Sequence, residues 1–242
     1  MSKKISLKQY LMKSGRFQKT YDCIDAIKNG KVTVNNKVIT NPSHFFNPKD
    51  LVKLDNEKLK TVSKLYFIMN KPSGYLSQKS NYEQTIYDLL KNLNMPKESM
   101  QSLHAVGRLD KDTEGLLILT NDGKLSNIIM DPQSEIIKKY YAMLENPVDK
   151  EKIKELEKGI ELEIDYDKYK TKPCKIKSVG EKEIYISISE GRKRQIRKMF
   201  EAIGNKVIYL KRVSIAGLQL GKLNVGEIKK ITREEILEKL EI

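Results

Sequence analysis

The chain has 242 residues, 39% of them hydrophobic and 32% charged, and carries a net charge of +14. That length suits one larger domain with a small companion, and so strong a charge concerns partners, with a polyanion the leading candidate. No apolar run nears the ~20 residues that cross a bilayer, and the opening MSKKISLKQYLMKSG lacks the apolar core of a secretory signal, so a soluble cytoplasmic protein is expected, with no membrane partner.

In chain order, residues 5–30 are predicted helical, with Leu7, Tyr10, Leu11, Ile24 and Ile27 at helix spacing and a break at KSG. GKVTVNNKVIT (30–40) is predicted as a hairpin around Asn35-Asn36, and DLVKL (50–54) as a strand. The polar stretch 56–64 marks a boundary between a domain at 1–60 and one at 61–242. LYFIMNKPSGY (65–75) is predicted as a strand entering a turn, TIYDLLKNL (85–93) as a short helix, and GLLILT (115–120) as a buried strand before the helix KLSNIIM. KKYYAML (138–144) and EIYISIS (183–189) are predicted strands; DKEKIKELEKGI (149–160) and GRKRQIRKMFEAIGN (191–205) are predicted helices. Strands and helices do not alternate strictly, which predicts an α+β fold with a mixed sheet.

The charge is concentrated. Residues 1–60 hold 13 Lys/Arg against 5 Asp/Glu, and residues 190–214 hold 8 Lys/Arg against 2 Glu. Those two segments account for the whole net charge, as two footprints on nucleic acid would. Either patch taken alone could be a solvated basic face. Cys23 and Cys174 form no CxxC pair, and His44 and His104 add no ligand spacing, so no metal site or disulfide framework is expected.

Two stretches could carry chemistry. In GRKRQIRKMFEAIGN, burial of Ile196, Met199, Phe200 and Ile203 leaves Arg194 and Lys198 on the opposite face and Arg197 on the flank. A helix start crowded with Arg192, Lys193, Arg194, Arg197 and Lys198 points to phosphate binding. In GRLDKDTEGLLILTNDG (107–123), Arg108 and Asp110 sit at the edge of a buried strand. Asp110 there is either a reacting carboxylate or a turn residue capping a local N–H, and Lys111, Asp112 and Glu114 fit an exposed charged loop equally well.

The 107–123 block resembles the GRLDxxTxGLLxLTxDG signature of the bacterial ribosomal pseudouridine synthases. YFIMNKPSGY (66–75) is similar to that family's KPxG turn, KKYY (138–141) to its K-x-Y strand, residues 190–221 to its third block and 226–236 to its C-terminal end. The matches keep the family's order and cover about residues 65–240. Residues 1–60 resemble an S4 RNA-binding domain, although Gln18-Lys19-Thr20 stands where Ser-Arg-Arg is usual.

The resemblance implies a small S4-like domain followed by a synthase domain with a mixed, mostly antiparallel sheet flanked by helices. It implies Asp110 as the essential aspartate, with Arg197 as its basic partner. Tyr140 would pack on the target base, Leu210 would wall the pocket, and Arg108 would fill the space left by a flipped base. Lys71, Arg192, Lys193, Arg194, Lys198 and Arg212, with Lys19, Lys28 and Lys31 in the first domain, are assigned to RNA binding. The implied reaction needs no cofactor. Residues 103–123, 158–166, 171–176 and 188–205 look most like the branch acting on 16S rRNA, free or in an assembling small subunit, whereas RKRQIR is closer to branches acting on large-subunit RNA. Targets in 23S rRNA or tRNA, or a non-catalytic role in ribosome assembly, are the alternatives. A monomer is expected.

Overall fold

The computed structural model describes residues 4–17, 19–164 and 167–242; Gln18 and residues 165–166 of the two family-like segments lie outside them. The chain forms two compact units, Met1–Leu65 with Leu90–His104, and Tyr66–Leu89 with Ala105–Ile242. Residues 90–104 therefore cluster with the first unit, although the reading in chain order placed them in the second.

In the first unit a capping box formed by Ser6 and Gln9 starts the helix Leu7–Lys13, and a second helix spans Thr20–Lys28. They bury Leu7, Tyr10, Leu11, Cys23, Ala26 and Ile27 against Val32, Val34, Val52 and Leu54. Ile24, expected in that core, is only half-buried. The strands Val32–Val34 and Lys37–Val38 close through Asn35 and Asn36, whose φ of 50° and 66° is the left-handed pair that a tight hairpin turn requires. Asp55 and Asn56 repeat the device at 47° and 67°, returning Val52–Leu54 as Glu57–Lys58. The predicted boundary at 56–64 thus begins inside a hairpin.

The second unit is built on a nine-stranded sheet. Its main path runs Lys175–Ser178, Glu183–Ile188, Lys138–Leu144, Val207–Ile215, Glu114–Thr120, Tyr66–Lys71, Ile228–Lys230. Neighbours are antiparallel except Val207–Ile215 and Glu114–Thr120, which are parallel. The strands Tyr66–Lys71 and Glu114–Thr120 are buried on both faces, as their unbroken runs YFIM and LLIL predict. On one face Tyr66, Ile68, Leu116 and Ile118 pack with Leu125 and Ile129 of the helix Gly123–Met130 and Ile236 and Leu240 of the helix Arg233–Leu240. The helix Gln195–Ala202 lies against Val207–Ile215. The mixed, mostly antiparallel α+β fold is the one expected.

Candidate active site

The loop that joins the buried strand Glu114–Thr120 to the residues before it carries Asp110. Its backbone closes on itself, with Thr113 N donating to Asp110 O at 3.1 Å. Two buried cations hold it from the flanking strands. Lys71, at the end of Tyr66–Lys71, is fully buried, and its Nζ donates to Pro72 O at 2.9 Å, Lys111 O at 3.2 Å and Thr113 O at 2.9 Å. Three ammonium protons meet three carbonyls, so its donors are all used. Arg212, 1% exposed, donates from Nε to Leu116 O and from Nη2 to Gly107 O, each at 2.7 Å. Both residues were expected to contact RNA. Neither can reach it, because their charged groups are enclosed and bonded to backbone carbonyls of the loop and of the chain beside it.

Burial pushes the Lys71 ammonium down to about 8, against the pull of Asp112, Glu114 and Asp110. Below that pH it is charged and holds all three carbonyls; above it a neutral amine has only two N–H groups left. An unfolded lysine keeps its proton to about 10.4. The folded chain therefore binds fewer protons between the two values, and this group makes the fold more stable, not less, as pH rises through that window. The expected result is a single-turnover rate that falls through pH 8 with no matching fall in melting temperature. Lys71→Met should remove the step; its persistence in that variant would assign it elsewhere.

The Asp110 carboxylate itself is half-exposed, and among the described residues no hydrogen bond ends on it. Arg197, 6% exposed, donates from Nη1 to Val207 O at 2.7 Å and from Nη2 to Asp112 O at 3.1 Å, and is ion-paired with Asp112 Oδ2 at 3.1 Å. Burial lowers its pKa, and Asp112 and, more weakly, Asp110 oppose that. The direct partner of Arg197 is thus Asp112 rather than Asp110, which acts on it only through space. Asp112 also accepts from Arg194 Nη1 at 3.1 and 3.2 Å, so it joins two guanidiniums. Sequence reasoning missed it as one member of a charged run.

Tyr140 and Leu210 are both buried. Tyr140 lies opposite Arg212 in register and Ala142 opposite Leu210, so all four side chains project from one face. Arg212 in turn lies beside Gly115, five residues after Asp110. Tyr141 projects from the other face, with its ring 5.6 Å from Tyr185 and 6.1 Å from Tyr209. Tyr209, which also went unremarked in the sequence, donates to Glu114 Oε2 at 2.7 Å.

The basic segment is arranged differently from expectation. Its helix begins at Gln195, not at residue 191, and Arg194 before it has a left-handed φ of 52°. Arg192, Lys193 and Arg194 therefore form an exposed lead-in and not the first helical turn. Gln195, buried and unpredicted, braces that lead-in by accepting from Arg192 N at 3.0 Å and donating to Glu190 at 2.6 Å. The Arg192 guanidinium lies 4.0 Å from the Tyr169 ring centre, and Lys198 Nζ donates to Glu163 O at 2.7 Å. Arg108 is exposed, with Nη1 bonded to Gln78 Oε1 at 2.9 Å. Lys19, Lys28 and Lys31 are exposed on the first unit, at the start of its second helix, in that helix's last turn and just after it. Among the described residues no group of three His, Cys, Asp or Glu could hold a metal ion, and no helix is long and apolar enough to cross a membrane.

Comparison with known proteins adds what geometry alone leaves open. The family described as RNA pseudouridylate synthase matches residues 65–202. The chain is 39% identical over 220 residues to ribosomal large subunit pseudouridine synthase B of Bacillus subtilis, covering 88% of this chain and 86% of that one. It is 34% identical over 212 residues to ribosomal small subunit pseudouridine synthase A of Escherichia coli, covering 87% and 89%. A solved structure described as a pseudouridylate synthase superposes with a TM-score of 0.69 at 32% identity, over 98% of this chain and 99% of that one. On these matches, and on the block that carries Asp110 within the matched span, the chain belongs to the RNA pseudouridylate synthase family.

Proposed function

We propose that the substrate of this isomerase is a uridine in ribosomal RNA and that Asp110 reacts with it. The observation that carries the reading is the Asp110 loop: its backbone is fixed from both sides by Lys71 and Arg212, while its carboxylate is left open to a substrate. Such placement is what proximity catalysis needs. The reaction breaks the N1–C1′ bond, turns the base and joins C5 to C1′; C5 gives up a proton and N1 gains one, so no cofactor or redox partner enters the balance. The aspartate serves as nucleophile or base in its carboxylate form.

The target bond lies in stacked RNA, and extruding the base costs a few kcal/mol. Arg108, exposed on the loop, offsets part of that cost by occupying the gap. Tyr140 offers the base a flat apolar wall and a hydroxyl for late proton transfer, with Leu210 beside it. Arg197 supports the loop through Asp112. The exposed Arg192, Lys193 and Arg194 and the half-buried Lys198, with Lys19, Lys28 and Lys31 on an S4-like unit, supply phosphate contacts.

Within ribosomal RNA, similarity of residues 103–123 and 171–176 to the small-subunit branch supports a 16S target. A large-subunit target is the second reading, favoured by the 39% identical relative named for that subunit and by Arg194 before Gln195. The test is tritium release from rRNA labelled at uridine C5, with 16S and 23S RNA offered both free and in assembling subunits. Release from 16S alone supports the first reading and release from 23S alone the second. RNA bound without release from either would leave a binding protein.

A further inference from the structure

Between Leu76 and Thr85 the chain makes a loop that closes on itself. Leu76 N donates to Gln84 O at 2.9 Å, Leu76 bridges Thr85, and Ile86 N returns to Leu76 O at 2.9 Å. The tip is fixed as well: Ser80 Oγ accepts from Tyr82 N and from Glu83 N, each at 3.2 Å. This segment is fastened to the catalytic loop on both sides of Asp110. Ser77 Oγ donates to Leu109 O at 2.6 Å and accepts from Leu109 N at 3.1 Å. Gln78 takes the Arg108 guanidinium, and Glu83 is ion-paired with Lys111.

Between the last two anchors stands Tyr82, with its side chain 97% exposed. A single exposed aromatic ring needs no explanation. Here, however, the backbone under the ring is held by Ser80, and the residue after it is tied next to Asp110. A tyrosine has only two side-chain torsions, and this one stands on backbone already held at Ser80 and through Glu83 to Lys111, so it has little conformational entropy to lose on binding.

We propose that residues 77–83 form a strap that reads the RNA next to the target uridine, with Tyr82 stacking on an unpaired neighbouring base. The inference rests on the RNA-isomerase reading above. Extruding the target leaves its neighbours partly unstacked, and a tyrosine face accepts any base, which is how proteins hold single-stranded RNA. The Gln78 bond to Arg108 gives the strap a second part in the same event, since it fixes the side chain that enters the gap.

The test uses an rRNA fragment that the wild-type chain modifies, with Tyr82→Ala, Tyr82→Phe and Tyr82→Trp compared by kcat and KM. Loss of one stacked base predicts a KM raised about ten- to a hundredfold in Tyr82→Ala, with kcat within about twofold and with Phe and Trp restoring KM. 2-Aminopurine at either neighbour of the target should be quenched by the wild type, Phe and Trp chains and stay bright with Ala. Unchanged KM and unchanged quenching in Tyr82→Ala overturn the inference, as does a Phe variant as poor as Ala, which would assign the effect to the hydroxyl. A wild-type chain that releases no tritium overturns the isomerase reading as well; an active wild type matched by Tyr82→Ala overturns the strap alone.

Discussion

An Asp110→Asn chain is expected to bind ribosomal RNA within about twofold of wild type and to lose tritium release by about 10⁴-fold or more. The separation of the two effects follows from the loop. No hydrogen bond among the described residues ends on the carboxylate, and the bonds that fix the loop are donated by Lys71, Arg212 and Thr113 N to its backbone carbonyls. Asparagine has the same shape and breaks none of them, so the melting temperature should stay within about 1 °C, as for other surface substitutions away from special features. What it removes is the carboxylate to which the proposed function assigns the chemistry. Release above about one per cent of wild type would mean that another residue carries the chemistry.

Gly115→Ala is expected to damage the same site from below. A Cβ there would lie 2.2 Å from Arg212 O, 2.7 Å from its N and 2.9 Å from its C, all backbone atoms, and the residue has a φ of +107°. Neither strand can give way without parting the one parallel junction of the main path, beside the Asp110 loop. A clash of this kind together with an unfavourable φ costs about 3–5 kcal/mol. In a chain of this size that lowers the melting temperature by about 10 °C, and activity should fall even where the chain remains folded. Gly123→Ala is the control. A Cβ at that helix start meets nothing within 4 Å, and the change should be neutral or stabilise by up to about 1 kcal/mol. Equal melting temperatures for the two variants would remove the close-approach argument.

The sequence carried the elements whose signals are local. The Asn35-Asn36 turn, the apolar runs of the central strands and the helix Lys150–Lys158 ending at Gly159 all follow from spacing and turn chemistry. The strand Val207–Ile215 was not read as a strand, because its basic composition drew attention to RNA and away from its alternation. The hairpin at Asp55-Asn56 carries the same turn signal as the first, but its polar flanks EKLK also read as a linker. For the site, motif similarity picked out Asp110, but charge alone could not sort the cations by role. Lys71 and Arg212 look like phosphate contacts in one dimension. Only the register of Tyr66–Lys71 and Val207–Ile215 on either side of Glu114–Thr120 turns them inward. Asp112 as the partner of Arg197 depends on residues 85 positions apart coming together, which no local pattern encodes.

The way Arg212 holds the loop also sets an order of events during folding. Its two bonds join residues 96 and 105 positions apart in the chain, and the parallel pairing beside it is equally distant. Contacts of such separation form slowly, since a long loop must close before they contribute. Lys71, by contrast, reaches partners about 40 positions away. During synthesis the Asp110 loop therefore leaves the ribosome with its near support and without its far one. The far support of the Asp110 loop therefore forms only after the strand Val207–Ile215 has been made, late in the chain and after the near one.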